Sequence, residues 1–148
     1  MGSKNQVFVY GTLQYPSILT ALINRVPTMH KAVVHGYKRY GLTDYVFPAV
    51  VEDASASVDG LLLTGLSEQE MVILDEYEGD EYRKEEVEVN VFRDTGGSAE
   101  ASLEKALLYV WMDEYKHLLN GKEWNKEAFE SKHFDGYYKM VSSDMLSH

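Results

Sequence analysis

Hydrophobic positions along the chain fall into two kinds of run, some apolar at every residue and others alternating or recurring at helical spacing. Val7-Phe8-Val9-Tyr10 is the first continuous run. It suits a strand covered on both faces, and Gly11-Thr12 after it can bend the backbone sharply. Pro16 and Ser17 read as the start of a short helix carrying Ile18, Leu19, Leu22 and Ile23 on one face, which ends between Asn24 and Pro27. Lys31 to Tyr40 predicts a strand with a bulge or a close backbone approach at Gly36. Pro48 marks Phe47-Pro48-Ala49-Val50-Val51 as an edge or the start of a strand, and Ala54 to Asp59 reads as a small-residue turn.

Val58 to Leu66 contains Gly60-Leu61-Leu62-Leu63, a candidate central strand. Ser67, with Glu70 three residues on, has the capping-box pattern of a helix start, and Gly79 is placed to end the helix that carries Met71, Ile73, Leu74 and Tyr77. Val87, Val89 and Val91 alternate with Glu86, Glu88 and Asn90, so this strand has one dry and one wet face. Asp94 to Ser102 reads as a Gly/Ser/Ala loop, and Ala106 to Met112 as a strand buried on both faces. Lys122 to Phe129 suggests a helix capped by Asn125 and docked by Trp124 and Phe129; the following Tyr137, Tyr138, Met140 and Met145 either lie back on the sheet or fray. About six strands without regular strand-helix alternation point to one α+β domain built on a closed or nearly closed sheet.

Charge narrows the partners. With 24 acidic against 14 basic residues in 148, a formal charge of -10, the chain has little with which to build the basic patch that nucleic acid or an anionic membrane surface requires. Neither is expected as a partner. The absence of cysteine excludes disulfides, thiol catalysis and thiolate metal sites. No run is long enough to span a bilayer and no leader segment is evident, so the cytosol is the default expectation. Met1-Gly2 resembles a myristoylation start, but Gln6 stands where Ser or Thr is required.

The five histidines, His30, His35, His117, His133 and His148, show no helical i,i+4 pair, so no metal site is expected. Nucleophile elbows and nucleotide fingerprints are missing too, which leaves no cofactor to invoke. Any reaction must then use a carboxylate, backbone amides and the hydroxyls of the eleven tyrosines.

Two features could supply that chemistry. The turn after Tyr10 joins a strand end to a helix start and collects unpaired N–H groups; it is either an ordinary connection or a site for a carboxylate or oxyanion. Stepping 100° per residue from Met71, Glu78 falls between Leu74 and Met71 on the apolar face. Desolvation there raises a carboxylate's pKa towards neutrality, the condition for general acid/base work. Fraying before residue 78, or pairing with Arg83 or Lys84, would instead leave Glu78 an ordinary surface group.

Val9-Tyr10-Gly11-Thr12-Leu13, Leu74-Asp75-Glu76-Tyr77-Glu78-Gly79 and Tyr82-Arg83 together resemble the γ-glutamylcyclotransferase-like family, most of all its plant avirulence-induced branch. The strand with Tyr109 and the late Trp124, Glu127, Phe129 and Tyr138 look like that branch as well, so the resemblance covers nearly the whole chain. It implies a small mixed β-barrel with flanking helices and no cofactor. It also implies a catalytic Glu78 and a substrate-binding turn of Tyr10, Gly11, Thr12, Leu13, Gln14 and Tyr15. The reaction it implies is the attack of a γ-glutamyl compound's α-amino nitrogen on its own γ-carbonyl, giving 5-oxoproline and a free amine or amino acid. Gln14-Tyr15-Pro16 departs from the basic and polar run of several bacterial members, which puts the leaving-group side of the pocket in question. A non-catalytic module that keeps the cavity to bind a small ligand or a protein is the rival expectation.

Overall fold

In the computed structural model, which describes residues 5–95 and 98–146, the first continuous run forms strand β1, Val7–Val9. A short 3₁₀ turn, Thr12–Gln14, leads from it into helix α1, Pro16–Ile23. Strands β2, Thr28–Leu42, and β3, Tyr45–Thr64, follow, then helix α2, Glu68–Glu78. Strands β4, Tyr82–Thr95, and β5, Ser98–Trp111, complete a closed sheet of five strands in the order β1-β3-β2-β4-β5. The ring closes through β1, antiparallel to β3 and parallel to β5. This is the α+β barrel with flanking helices that the pattern and the resemblance predicted.

Continuous apolar runs end where they should, in strands buried on both faces. Phe8, Leu62, Leu108 and Val110 point into the barrel with Val34, Val58, Val89 and Val91. Their chain neighbours Val7, Val9, Leu63 and Tyr109 point outward, against Ile18, Leu19 and Leu22 of α1 and Met71 and Leu74 of α2. On β4 the alternation holds: Val89 and Val91 are buried while Glu86 and Glu88 are exposed.

Three expectations need correction. Ala54 to Asp59 is no turn, because Phe47 to Val51 and Val58 to Leu66 belong to one strand, β3, and the count is five strands rather than six. The small residues face the register shift at Gly36, where Asp53 Oδ1 accepts from the Ser55 amide, so they form a bulge rather than a reversal. The true reversal is the tight link between Leu42 and Tyr45, with Asp44 in the left-handed region at φ 68°. Most of the expected loop from Asp94 to Ser102 is also strand, since the β4–β5 ladder continues from Val91↔Ser102 to Thr95↔Ser98; residues 96–97 lie outside the described residues. In both places a neighbouring strand supplies backbone partners that the composition of the segment does not reveal.

After β5 a strap containing the 3₁₀ turn Asp113–Leu118 returns along the end of β2, where Gly41 N–H donates to Lys122 O and Asn120 N–H to Gly41 O. Asn125 then caps helix α3, Lys126–Ala128, its Oδ1 accepting from Ala128 N at 2.9 Å. A π turn, Phe129–His133, runs on into helix α4, Phe134–Leu146. Of the two expectations for this end of the chain, the first holds for Tyr137 and Tyr138, whereas Met140 is exposed and the Met145 side chain lies outside the described residues. Phe129 and Val141 are buried, and α4 lies on α1 with Phe134, Tyr137 and Tyr138 packed against the outer core. Among the described residues no helix is long and apolar enough to cross a membrane.

Candidate active site

Helix α2 brings Glu78 to the barrel mouth in a fixed phase. Its start is pinned by the reciprocal capping box, Glu70 N to Ser67 Oγ at 3.1 Å and Ser67 N to Glu70 Oε1 at 2.9 Å. At the other end Gly79 N–H donates to Asp75 O, and Gly79 takes φ 87°, a conformation that suits glycine. The helix therefore does not fray before residue 78. Nor is Glu78 drawn out by its basic neighbours: Arg83 pairs with Glu85 at 2.8 Å and Lys84 with Asp75 at 2.9 Å.

The turn after β1 meets it from below. Tyr10, Gly11, Thr12 and Leu13 line a cavity of about 40 Å³, closed on other sides by Phe47 and Pro48 of β3 and by Tyr77 and Glu78 of α2. Tyr82 of β4, Tyr109 of β5 and Tyr137 of α4 complete the wall. That is space for a few waters, in a cavity that is partly open to solvent rather than sealed. Gly11 is required by proximity, since a Cβ there would lie 2.7 Å from Pro48 Cγ and 2.8 Å from Pro48 Cδ. The turn's own hydrogen bonds are donated by Gln14 to Gly11 O and by Tyr15 to Thr12 O. The amides of Gly11, Thr12 and Leu13 precede these donors and stay outside the turn's pairing.

Among the described residues Glu78 is the sole carboxylate lining the cavity. It is partly buried and borders that space, and among the described residues it makes no hydrogen bond or ion pair. Burial, with the charge of Asp75 three residues back adding to it, pushes its pKa from 4.5 to about 8. Asp75 itself is held between Tyr109 Oη at 2.6 Å and Lys84 Nζ at 2.9 Å. An enclosed, unpaired carboxyl group that can exchange a proton near neutrality is suited to taking and returning a proton.

Tyrosine hydroxyls form the rest of the polar lining. Tyr10 donates to Tyr109 O and Tyr82 to Pro48 O, both at 2.8 Å. Thr12 Oγ1 lies 2.7 Å from Tyr77 Oη, which in turn hydrogen-bonds Tyr137 Oη. Burial is the leading cause that holds Tyr10, Tyr77, Tyr82, Tyr109 and Tyr137 above the usual phenol range, and the charge of Glu78 adds to each. All five are therefore neutral donors.

Not every residue expected in the site reaches it. Gln14 turns back, its Nε2 donating to Gly11 O at 3.2 Å. Tyr15 packs on Phe129 and Phe134, and its hydroxyl donates to Glu130 at 2.8 Å. Both brace the turn from behind the cavity. Arg39 of β2 went unnoticed in the sequence. Its side chain is one-tenth exposed, its guanidinium lies over the Trp124 ring, and its Nη1 donates to Tyr10 O at 2.8 Å. Tyr82, Tyr109 and Tyr137 were also absent from the expected site; the signal for them was the tyrosine-rich composition, which favours polar-edged cavities but gives no positions. Among the described residues no group of three or more His, Asp or Glu is arranged to hold a metal ion.

The family model described as "Gamma-glutamyl cyclotransferase, AIG2-like" matches residues 7–126. "AIG2-like protein D" of Arabidopsis thaliana is 33% identical over 139 residues, covering 94% of this chain and 88% of that protein. A solution structure from Arabidopsis thaliana is 30% identical, with TM-score 0.68, covering 96% of this chain and 81% of that one. A structure named gamma-glutamyl cyclotransferase superposes with TM-score 0.61 over 93% of this chain and 85% of its own, at 15% identity, a likeness of fold alone.

Proposed function

The chain belongs to the gamma-glutamyl cyclotransferase, AIG2-like family, and from that premise we propose that it is an intramolecular acyl-transfer enzyme releasing 5-oxoproline from a γ-glutamyl amine or peptide, with Glu78 as its acid/base. One observation carries the reading: the unpaired carboxyl of Glu78 lines the same cavity as the Tyr10-to-Leu13 turn.

The substrate's α-ammonium enters beside Glu78 and supplies a positive charge that no lining residue carries, which favours the carboxylate. Glu78 then takes a proton from that ammonium. The freed amine nitrogen attacks the γ-carbonyl carbon, a carbon–nitrogen bond forms, and the carbonyl electrons move to oxygen. Gly11, Thr12 and Leu13 amides hold the substrate carboxylate or this oxyanion. Glu78 returns its proton to the leaving nitrogen, whose bond to carbon breaks as the oxyanion collapses, and then takes the second proton of the attacking nitrogen and passes it to the released amine, which departs as its ammonium. The products are 5-oxoproline and a free amine, and Glu78 ends as it began. The close walls keep nitrogen and carbonyl together.

Incubating the purified protein with a panel of γ-glutamyl peptides and amines tests the reading, with 5-oxoproline as the readout. Turnover that falls sharply in Glu78→Gln supports it. A panel without product, or wild-type turnover in Glu78→Gln, overturns it. Ligand binding that raises the melting temperature equally in both proteins, without turnover, would mark a non-catalytic module.

A further inference from the structure

The matched family region ends at residue 126, yet one wall of the cavity comes from beyond it. Tyr137 of α4 lines the cavity, and its hydroxyl is the last of three joined in a row, Thr12 Oγ1, Tyr77 Oη and Tyr137 Oη. Aromatic packing fixes the ring: Phe129 meets it edge-on at 5.7 Å between centroids, and Phe134, on the same face of α4, is held at 4.9 Å by Tyr15.

Three hydroxyls joined by two hydrogen bonds have three protons and use two. One proton is left over, at the Tyr137 end, at the Thr12 end or on Tyr77 between them, and all three residues border the cavity. A ligand oxygen beside Tyr137 draws the row into the polarity in which Thr12 donates to Tyr77 and Tyr77 to Tyr137. Tyr137 then donates into the cavity, and each bond polarises the next.

We infer that Tyr137 is a substrate-binding residue contributed by the C-terminal helix, donating a hydrogen bond to a carboxylate or carbonyl oxygen of the γ-glutamyl group at the end of the Thr12–Tyr77–Tyr137 hydroxyl row. The inference rests on the function proposed above for the identity of the ligand. It gives α4 a share in the site that the barrel alone does not provide. Tyr77 acts through Tyr137 in this scheme and is a positioning residue.

Tyr137→Phe removes the hydroxyl and keeps the ring. With γ-glutamyl anilide as substrate, KM is expected to rise about tenfold or more with kcat changed little, the signature of a lost binding contact to a charged or polar oxygen. Adding Tyr77→Phe to Tyr137→Phe should then change KM little further, because the end of the row is already gone. Tyr138→Phe, on the same helix and stacked on Phe134, should leave both constants unchanged. Binding of the same anilide to Glu78→Gln, with and without Tyr137→Phe, is measured by calorimetry in parallel. Turnover that depends on Glu78 with KM unmoved by Tyr137→Phe overturns the inference and spares the functional reading. Absent turnover with anilide binding that weakens in Tyr137→Phe does the reverse. Absence of both turnover and binding overturns the two together.

Discussion

Replacing Glu78 by Gln should make the protein inactive and, at alkaline pH, more stable. A glutamate whose pKa rises from 4.5 to about 8 on folding holds its proton in the folded state while the unfolded chain has lost it. Stability from this group is thus fully present below about pH 4.5 and is lost as pH rises towards 8. The difference, 8 minus 4.5, is about 3.5, and at 1.36 kcal/mol per pH unit the ceiling is about 5 kcal/mol. Water in the cavity screens part of that charge, so a gain of about 2 kcal/mol at pH 9 is expected for Glu78→Gln over wild type. For a chain of this size that corresponds to roughly 4–8 °C in melting temperature. Urea unfolding of both proteins at pH 5 and pH 9 gives the comparison, with the signal in its change between the two pH values. In the same preparation turnover should fall by about 10²–10⁴. An advantage that is identical at pH 5 and pH 9 would refute the desolvated carboxyl, and undiminished turnover would refute its role.

Three further outcomes follow from the site. The kcat/KM of the wild type should rise with pH up to about 8, as the free enzyme's Glu78 loses its proton; a flat profile from pH 6 to 9 is the contrary result. Gly11→Ala places a methyl against the rigid Pro48 ring and should cost about 1–3 kcal/mol in stability with most of the activity, and adding Pro48→Ala should restore part of both. Arg39→Met removes the donor to Tyr10 O and the contact over Trp124. Its expected effects are a higher KM and a loss of about 1–3 kcal/mol, read by steady-state kinetics and thermal unfolding.

What could be read in the sequence is what depends on near neighbours. Glu78 stood out because the phase of α2 is set locally, by Ser67 and Glu70 at one end and Gly79 at the other, and an angle counted from Met71 survives into the fold. β1 and its turn were legible for the same reason. Thr43-Asp44 was missed as the reversal since only its left-handed Asp44 marks it, while Ala54 to Asp59 offered a stronger compositional signal that the β2 partner strand overrode. Tyr109 meets Tyr10 across 99 positions, and Tyr137 meets Tyr77 across 60. No periodicity reports contacts of that range, so the tyrosine wall needed coordinates. Gln14 and Tyr15 show the converse limit: contiguity in a turn does not make every residue of it face the cavity.

The three-residue strand β1 carries a consequence for how the molecule assembles. It holds the ring shut by pairing Val7 with Leu63 on one side and with Leu107 on the other, positions far apart in the order of synthesis. Such pairing has to close long loops before it is rewarded, which makes it slow. Strand β1 is synthesised well before Leu107 of β5, the second of its two partners. Glu78 lines the same cavity as the turn after β1 and Tyr109 of β5, so its enclosure, and with it the raised proton affinity, depends on the ring being shut. A folding intermediate with an open ring would titrate at this residue like an ordinary surface acid.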